Sequence, residues 1–276
     1  VRPVFTLLCA KLCAEPNNKT ISVAAAYELL HTASLIHDDV VDTTMERRGQ
    51  PSANALFDNR TAVLVGDYLL SKSMQFIAET GMPELYNQLA LLGNILTRGE
   101  LLQLQHSYSI PTEDDYIEII KKKTAVLFTI SAESAAISVG ASKEQREALR
   151  QFAEYLGICF QIKDDIFDYS PNAQIGKPTL NDIREGKFTL PLLHALESIR
   201  ANEASLILES VKKRQFTEDF FYNIGSLVAR TGGIEYAEQR MTYYKEKAVL
   251  ALSVFADGDI KQSLLNLLEF TIQRKK

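Results

Sequence analysis

The sequence predicts an all-α protein. Amphipathic stretches with helical spacing of apolar residues follow one another along the 276 residues, and strand-like alternation is scarce. Short breaks at Gly, Pro or Asn separate these stretches. Hydrophobic residues make up 46% of the chain, which is enough to bury a large core. We therefore expect one domain over residues 1–276, a bundle of about ten or more helices around a central cavity.

The periodic stretches predict ten helices, each ended by a turn signal or by a loss of the helical period. They cover residues 3–15, 22–42, 60–80, 83–109, 112–139, 143–169, 190–201, 218–231, 233–256 and 260–275. Ser22 is the predicted N-cap of the second helix, because its hydroxyl can accept a bond from a free backbone N–H group. Thr112 and Asp115 predict a capping box at the start of the fifth helix.

Composition and cysteine usage limit the possible partners and location. The formal net charge of −5 argues against a nucleic-acid-binding protein. No stretch reaches the roughly 18 apolar residues of a membrane span, and no signal peptide is visible. Cys9, Cys13 and Cys159 lie in apolar helical settings, which predicts core thiols in a reducing cytoplasm. Cys9 and Cys13 could ligate a metal, but without a nearby His or third Cys packing is favoured.

Two acidic motifs of the form Asp-Asp-x-x-Asp occur at residues 38–42 and 164–168. The first and last Asp of each motif lie one helical turn apart, on the same face. Oxygen-only ligands select hard cations such as magnesium, which bridges carboxylates to phosphate oxygens. Solvated acidic surfaces are an alternative, but both motifs follow apolar residues, where carboxylates are costly to bury. Two such helices facing each other would form one cavity suited to divalent cations and a diphosphate.

A basic loop follows each acidic motif. The loop at residues 46–51 carries Arg47 and Arg48, and the loop at residues 176–187 carries Lys177 and Lys187. Adjacent arginines can point apart and serve two different phosphates, although a lone pair of this kind is more often a solvated surface feature. Metal on one side and cations on the other would match the charge of a bound diphosphate.

These motifs resemble those of the trans-isoprenyl diphosphate synthases, the polyprenyl synthetase family. Residues 35–42 and 47–49 are similar to the family's first aspartate-rich motif and arginine pair, and residues 160–168 to its second motif. The Lys123-Thr124 pair and the stretch 176–191 also match. The resemblance implies a magnesium-dependent prenyltransferase that condenses isopentenyl diphosphate with an allylic diphosphate. Its product would be an all-trans polyprenyl diphosphate, made by an isoprenoid synthase-like all-α fold.

The resemblance also implies roles for the matched residues. Three magnesium ions with bound diphosphate would be held by Asp38, Asp42 and Asp164, supported by Asp39, Asp165 and Asp168. The allylic diphosphate would contact Arg47, Lys123, Lys177 and Lys187. Isopentenyl diphosphate would bind to Arg2, His31 and Arg48. The expected catalytic set comprises Asp38, Asp39, Asp42, Lys123, Thr124, Gln161, Asp164, Asp165 and Lys177. Taken alone, His31 would more often be a core histidine, but its place about two turns before Asp38 favours ligand contact.

Small residues before the first motif predict a long product. Ala33 and Ser34 lie one turn before Asp38, where they leave room for an apolar tail. In the family a bulky aromatic residue at those places stops growth early, so this chain resembles the long-chain members. The preceding helix offers about 24 Å, room for about five or six isoprene units. Leu30 and Tyr27 are candidate constrictions further down.

Two further expectations concern neighbours of this chain. The family usually has a Gly-Gly-Lys element just before the position of Arg2, and its lysine contributes to the isopentenyl diphosphate pocket. We expect this element upstream of the printed sequence; the alternative is that the pocket is incomplete. The family is usually dimeric, and the Leu-rich stretch at residues 90–104 is a candidate surface for a homodimer. An apolar product would bring the protein near membranes.

Four other functions compete with this prediction. A class I terpene cyclase usually pairs its acidic motif with an Asn/Ser/Glu metal motif, whereas the second motif here is all Asp. A head-to-head coupling synthase would not need Lys177 and Lys187. The non-catalytic subunit of a heteromeric synthase would have lost acidic ligands or loop cations, all of which are present. Metal-dependent diphosphate binding would exclude a plain helical scaffold.

Overall fold

The computed structural model describes residues 2–47, 49–169 and 180–274, which are predominantly helical. The helices are α1 Arg2–Cys13, α2 Asn18–Val41, α3 Ala53–Leu56, α4 Asn59–Glu79, α5 Pro83–His106, α6 Glu113–Ile120, α7 Val126–Ser138, α8 Lys143–Asp168, α9 Asn181–Arg184, α10 Leu190–Glu197, α11 Ala201–Lys212, α12 Glu218–Arg230, α13 Gly233–Ala251 and α14 Asp259–Gln273. A π-helical turn, Lys121–Ala125, joins α6 to α7, and a 3₁₀ turn, Leu252–Val254, follows α13. The all-α prediction is confirmed.

Two short strands form the sheet structure of the described residues. Strands β1 Glu46–Arg47 and β2 Gln50–Pro51 pair antiparallel, with Glu46 opposite Pro51 and Arg47 opposite Gln50. The hairpin lies in the basic loop after the first acidic motif. It gives Arg47 a defined backbone position beside that motif.

Of the two predicted helix N-caps, one is wrong and one is confirmed. The predicted N-cap at Ser22 is wrong, because α2 begins four residues earlier with Asn17 as its N-cap. The Asn17 side chain accepts from the backbone N–H of Thr20, and the Thr20 hydroxyl accepts from that of Asn17. At α6 the capping box is confirmed, since Thr112 and Asp115 exchange the expected bonds at 3.0 and 3.1 Å.

Several helix boundaries differ from the predicted ones. The predicted helix at 112–139 is divided by the π-helical turn, which widens the backbone for one turn. The predicted helix at 190–201 ends earlier, because α10 stops at Glu197 and α11 begins a new helix at Ala201. Extended backbone at Arg200 separates the two. Helices α3 and α9, each of four residues, and α11, of twelve residues, were not predicted.

The chain divides into two compact units. The first comprises Val1–Gly93, Leu127–Arg150 and Val254–Leu264, and the second comprises Asn94–Val126, Gln151–Ser253 and Leu265–Lys276. The first acidic motif belongs to the first unit, and the second motif belongs to the second. A single domain over residues 1–276 stays a prediction.

The first unit is organised around α2, which packs against α1 and α4. Tyr27 of α2 is 1% exposed, and its hydroxyl shares a 2.7 Å hydrogen bond with Ser134 of α7. Phe5 of α1 meets Phe128 edge-to-face, with ring centroids 5.7 Å apart. These contacts fix the helix that ends in the first acidic motif.

The second unit packs α10 against α12 and α13. Gly233, at the start of α13, permits this approach, since a Cβ there would lie 2.3 Å from the carbonyl oxygen of Pro191. Helix α8 buries one apolar face, including Phe152 and Ile162, and ends in the second acidic motif. The packing therefore holds that motif on a rigid helix.

The cysteines are free thiols. Cys9 and Cys159 are buried, as predicted, whereas Cys13 is only half-buried. Burial raises the pKa of the Cys159 thiol to about 12. Within the described part of the chain, none of the helices is both long and apolar enough to cross a membrane. The cytoplasmic location stays a prediction.

Candidate active site

The first acidic motif closes the last turn of α2. Asp38 is half-buried, Asp39 is 3% exposed, and Asp42 lies on the surface as the C-cap. The backbone N–H of Asp42 donates to the Asp38 carbonyl at 2.8 Å, so the helical spacing between the two carboxylates is kept. The two predicted metal ligands of this motif are thus the more exposed members, as a metal site requires.

Asp39 is bound by Arg47 of β1. The Arg47 Nε and Nη2 atoms donate to Oδ1 of Asp39 at 2.9 and 2.6 Å, and Nε also reaches Oδ2 at 3.1 Å. This pairing satisfies a carboxylate that is otherwise buried. Arg47 was predicted to contact the allylic diphosphate, but in this structure its guanidinium is held by Asp39. Its neighbour Arg48 lies outside the described residues.

The other predicted residues of the first unit lie on α1 and α2. The Arg2 guanidinium carbon sits 5.3 Å from the Phe128 ring centroid, and His31 is half-buried. Ser34 donates its hydroxyl proton to the His31 carbonyl at 2.9 Å. Ala33 and Leu30, predicted to set product length, are 2% and 5% exposed.

The second acidic motif closes the last turns of α8, and its three aspartates have different partners. The side chain of Asp164 is 40% exposed and accepts from Nη2 of Arg274 at 2.6 Å. Asp168 accepts the backbone N–H groups of Asn181 and Asp182 at 2.9 and 3.1 Å. It therefore anchors the start of α9, in agreement with a supporting role.

Asp165 lies at the centre of a hydrogen-bond network within the second unit. The Tyr116 hydroxyl donates to its Oδ2 at 2.6 Å, and the Gln161 amide donates to its Oδ1 at 2.8 Å. The Thr124 hydroxyl in turn donates to the Gln161 amide oxygen at 2.7 Å. Burial, together with the charge of Asp182, raises the pKa of Asp165 well above its usual range.

A cavity of about 160 Å³ in the second unit brings predicted residues together. Its walls include five of them: Lys123, Thr124, Gln161, Asp165 and Lys187. The π-helical turn supplies the first two and α8 the next two. Further lining comes from Gln103, His106, Pro111, Tyr116, Ile119, Ile120, Asp182, Phe188 and Thr189. Cations, carboxylates, uncharged oxygens and apolar walls thus share one space.

Acidic neighbours balance the two lysines of this cavity. Lys123 lies 2.6 Å from the carboxylate of Glu100, and Lys187 pairs with Glu185. Burial and the charge of Asp168 raise the pKa of Asp182 to about 7, while Lys187 lowers it. Both lysines are therefore paired with carboxylates of the protein. Lys177 lies outside the described residues.

The polyprenyl synthetase family model matches residues 1–223. The chain belongs to the polyprenyl synthetase family. Octaprenyl diphosphate synthase of Haemophilus influenzae is 36% identical over 279 residues, with 99% of this chain and 84% of that protein covered. Component 2 of the heptaprenyl diphosphate synthase of Bacillus subtilis is 32% identical over 277 residues, covering 100% of this chain and 78% of that protein. This polyprenyl synthetase is accordingly a prenyltransferase, as the motifs predict.

Solved structures similar to this chain are also prenyl diphosphate synthases. Polyprenyl synthase from Caulobacter crescentus, complexed with calcium and isoprenyl diphosphate, superposes with a TM-score of 0.93 at 35% identity, covering 100% of this chain and 84% of that one. Geranylgeranyl pyrophosphate synthase from Bacteroides thetaiotaomicron gives a TM-score of 0.88 at 41% identity, covering 99% and 87%. The family assignment thus holds for sequence and fold together.

The acidic side chains of this polyprenyl synthetase fit magnesium bound with a phosphate ligand. Among the residues that the structure describes, no three His, Cys, Asp or Glu side chains form a ready-made metal site. Magnesium typically uses one or two carboxylates and completes its shell with waters and substrate phosphates. Asp38 and Asp42 in the first unit and Asp164 in the second are carboxylates that are not buried, and each is the kind of oxygen donor that such a cation uses.

Three residues that contact the site were not predicted from sequence motifs: Tyr116, Glu100 and Arg274. Tyr116 lies about two helical turns before Lys123, and that spacing could have identified it as a neighbour of the cavity. Glu100 and Arg274 bond to site residues but carry no motif. Arg274 is 110 residues from Asp164 in sequence, so only the folded chain reveals the contact.

Proposed function

We propose that this polyprenyl synthetase condenses isopentenyl diphosphate with an allylic diphosphate and releases a long all-trans polyprenyl diphosphate. The main support is the cavity of the second unit, where Lys123 and Lys187 face Thr124, Gln161 and Asp165. The two lysine cations can neutralise a diphosphate. The uncharged oxygens can stabilise a carbocation, whereas a strong nucleophile at the same place would react with it. Both acidic motifs are proposed to serve the same diphosphate.

Metal binding is assigned to Asp38, Asp42 and Asp164, and we expect three magnesium ions in the complex with diphosphate. Magnesium bound there supplies Lewis-acid stabilisation of the charge that builds on the leaving diphosphate. Asp39 and Asp165, buried and hydrogen-bonded, hold their helices rather than contact the metal directly. This division follows from exposure, since a saturated buried carboxylate is a poor ligand.

The basic residues divide between the two substrates. Lys123, Lys187 and Arg47 neutralise the allylic diphosphate. The two lysines exchange an internal carboxylate partner for a phosphate oxygen. Arg47 keeps its bonds to the buried Asp39 through Nε and Nη2 and uses its other guanidinium N–H groups for phosphate. Lys177, at a position that matches the family motif, joins them. Arg2, His31 and Arg48 are assigned to isopentenyl diphosphate, whose pocket needs cations without metals.

Thr124 and Gln161 face the allylic cation. The Thr124 hydroxyl donates its proton to the Gln161 amide oxygen. Because the proton points toward Gln161, the lone pairs of the hydroxyl oxygen can face the positively charged carbon. The double bond of isopentenyl diphosphate attacks that carbon and forms the new carbon–carbon bond. Loss of a proton then restores an allylic diphosphate, and the released diphosphate accepts this proton.

Product length is proposed to be set along α2. Ala33 is small and buried one turn before the metal motif, with Ser34 beside it and Leu30 one turn further. An aromatic residue at those positions would stop the growing chain. The octaprenyl relative favours a long product, whereas the geranylgeranyl relative has a shorter one. The apolar product would bring the enzyme near membranes.

The test is turnover by the purified protein with magnesium, farnesyl diphosphate and isopentenyl diphosphate, followed by chromatography of the dephosphorylated products. We expect products longer than the geranylgeranyl chain, formed only while the metal is present. Recovery of the unextended fifteen-carbon starter alone, or of products no longer than the geranylgeranyl chain, would contradict the proposal. Activity that appears only after another subunit is added would favour the heteromeric alternative, as for the heptaprenyl component.

A homodimer is the proposed assembly. Along α5, Leu91, Leu101 and Leu104 expose 46%, 61% and 56% of their surface, an arrangement that a second copy could cover. Size-exclusion chromatography with multi-angle light scattering is expected to give twice the mass of one chain. Leu101→Glu should shift the mass toward the monomer, and a monomeric wild-type protein would contradict this assembly.

A further inference from the structure

Arg274 contacts the second acidic motif directly. It continues the last turn of α14, with its backbone N–H donating to the Phe270 carbonyl at 2.9 Å. Its Nη2 atom donates to Oδ1 of Asp164 at 2.6 Å and to the carbonyl oxygen of Phe160 at 2.9 Å. One guanidinium nitrogen thus joins the acidic side chain to the backbone of α8 one turn earlier.

The surroundings of Arg274 hold it in place. Its side chain is only 14% exposed, and the guanidinium carbon lies 4.1 Å from the Phe160 ring centroid and 5.5 Å from that of Phe167. A flat guanidinium stacked on aromatic rings loses little freedom when it forms hydrogen bonds. A buried cation also needs a paired charge, and Asp164 provides one. This contact is therefore an anchored feature rather than a chance surface ion pair.

We infer that Arg274 is a positioning residue that orients the Asp164 carboxylate for the divalent cation. The inference rests on the proposed role of Asp164 as a metal ligand. A carboxylate accepts bonds at two oxygens, so a donor fixed at Oδ1 does not exhaust its capacity to bind a metal. Outer partners that fix a ligand's rotamer commonly change metal affinity by about 10–100-fold. Arg274 supplies this support from a helix distant in sequence.

The test measures Mn²⁺ binding by electron paramagnetic resonance in the presence of inorganic diphosphate. Arg274→Gln should bind Mn²⁺ about 10–100-fold more weakly than the wild type. Arg274→Lys keeps the charge but not the planar, stacked geometry, so it should recover only part of that loss. Equal or tighter Mn²⁺ binding by Arg274→Gln would overturn the inference, because the arginine would then be neutral or in competition with the metal.

A matched control is Arg146→Gln. Arg146 also joins a carbonyl, that of Ala141 at 3.0 Å, to a carboxylate, that of Glu84 at 2.7 Å. Its loss should reduce thermal stability to a similar degree and leave Mn²⁺ binding unchanged. A similar Mn²⁺ deficit in both variants would indicate general destabilisation and overturn the specific role.

Asp164→Asn separates this inference from the proposed function. Wild-type Mn²⁺ binding and turnover in Asp164→Asn would contradict the proposed metal ligand itself. If Asp164→Asn loses Mn²⁺ while Arg274→Gln does not, only the role of Arg274 is wrong. Adding Arg274→Gln to Asp164→Asn should cause no further loss of Mn²⁺ binding, because the arginine acts through that carboxylate.

Discussion

Individual carboxylates of the candidate site differ in exposure and in hydrogen bonding. Asp39 and Asp165, the second aspartates of the two motifs, are each 3% exposed and satisfied by hydrogen bonds. Their partners differ, since Arg47 supplies a charge and Tyr116 a neutral hydroxyl. The same sequence pattern therefore occurs with two different ways of stabilising a buried carboxylate, an ion pair in one motif and neutral hydrogen-bond donors in the other.

Tyr116→Phe is expected to slow turnover by about tenfold while the KM for either substrate changes by less than about twofold. The substitution keeps the ring but removes the donor to Asp165, which loosens the chain of bonds through Gln161 to Thr124. Steady-state kinetics would measure this effect. Tyr169→Phe is the control, because the bond of its hydroxyl to Thr189 is long, at 3.4 Å, and is not part of this chain of bonds. Equal turnover in the two variants would argue against the network.

Asp182 gives the stability of the protein a pH dependence. Its folded-state pKa of about 7 lies above the ordinary value of 3.8, because of burial and the nearby charge of Asp168. The folded state thus binds more protons than the unfolded state between these values. Stability from this group is greatest below pH 4 and is lost as pH rises toward 7.

The expected result is that the wild type loses at least about 1 kcal/mol more unfolding free energy than Asp182→Asn between pH 5 and pH 8. Urea titrations without divalent metal would measure it. Asn removes the titrating carboxyl and keeps its size, so the slope with pH should flatten. Parallel pH profiles for the two proteins would contradict the assignment to Asp182.

The placement of site residues was predictable where it depends on local motifs. Lys123, Thr124, Gln161 and Asp165 occur in recognisable patterns, and the structure places all four on one cavity. The contact of Arg274 with Asp164 was not predictable, because the two residues are 110 positions apart in sequence and meet only in the folded chain. A side chain acting through a distant helix leaves no pattern in its own segment.

Secondary-structure elements were predictable where apolar periodicity is long. Helix α8 was predicted to within one residue at its end, since 26 residues carry a consistent period. Helices of four residues, such as α3 and α9, are too short for a periodic signal. The π-helical turn Lys121–Ala125 also escaped, because one widened turn barely alters the spacing of apolar residues.

Close packing of α5 against the π-helical turn predicts the effect of Gly99→Ala. A Cβ at Gly99 would lie 2.9 Å from the Lys122 carbonyl carbon and 3.0 Å from the Lys123 nitrogen, so the backbone must shift. We expect a loss of about 1–3 kcal/mol of unfolding free energy. Turnover should fall as well, because Lys123 and Thr124 move with that backbone.

The matched control for this helix is Gly93→Ala. Nothing lies within 4 Å of a Cβ built there, and the position is an exposed part of the same helix. Alanine should stabilise the protein by about 0.5–1 kcal/mol through its helix propensity. Urea unfolding would separate the two outcomes. Equal effects of the two substitutions would show that the contact does not constrain the turn.

At the scale of the whole molecule, the proposed function requires the two acidic motifs to act together. Asp38 belongs to the first compact unit and Asp164 to the second. Each was predicted as a metal ligand from its own local pattern, and local pattern cannot say whether two carboxylates share one substrate. Cooperation between the motifs is therefore a quantity to be measured by kinetics.

Asp38→Asn and Asp164→Asn should each reduce turnover on the order of 10²–10³-fold, because each removes a ligand of the metal that stabilises the leaving group. The double variant should be at most about tenfold slower than the worse single variant. Groups that act as a unit give such non-additive losses, since the first removal already disables the assembly. Radiolabelled isopentenyl diphosphate gives the sensitivity needed. A double variant whose loss equals the product of the single losses would mean two independent sites, and the proposed shared diphosphate would be wrong.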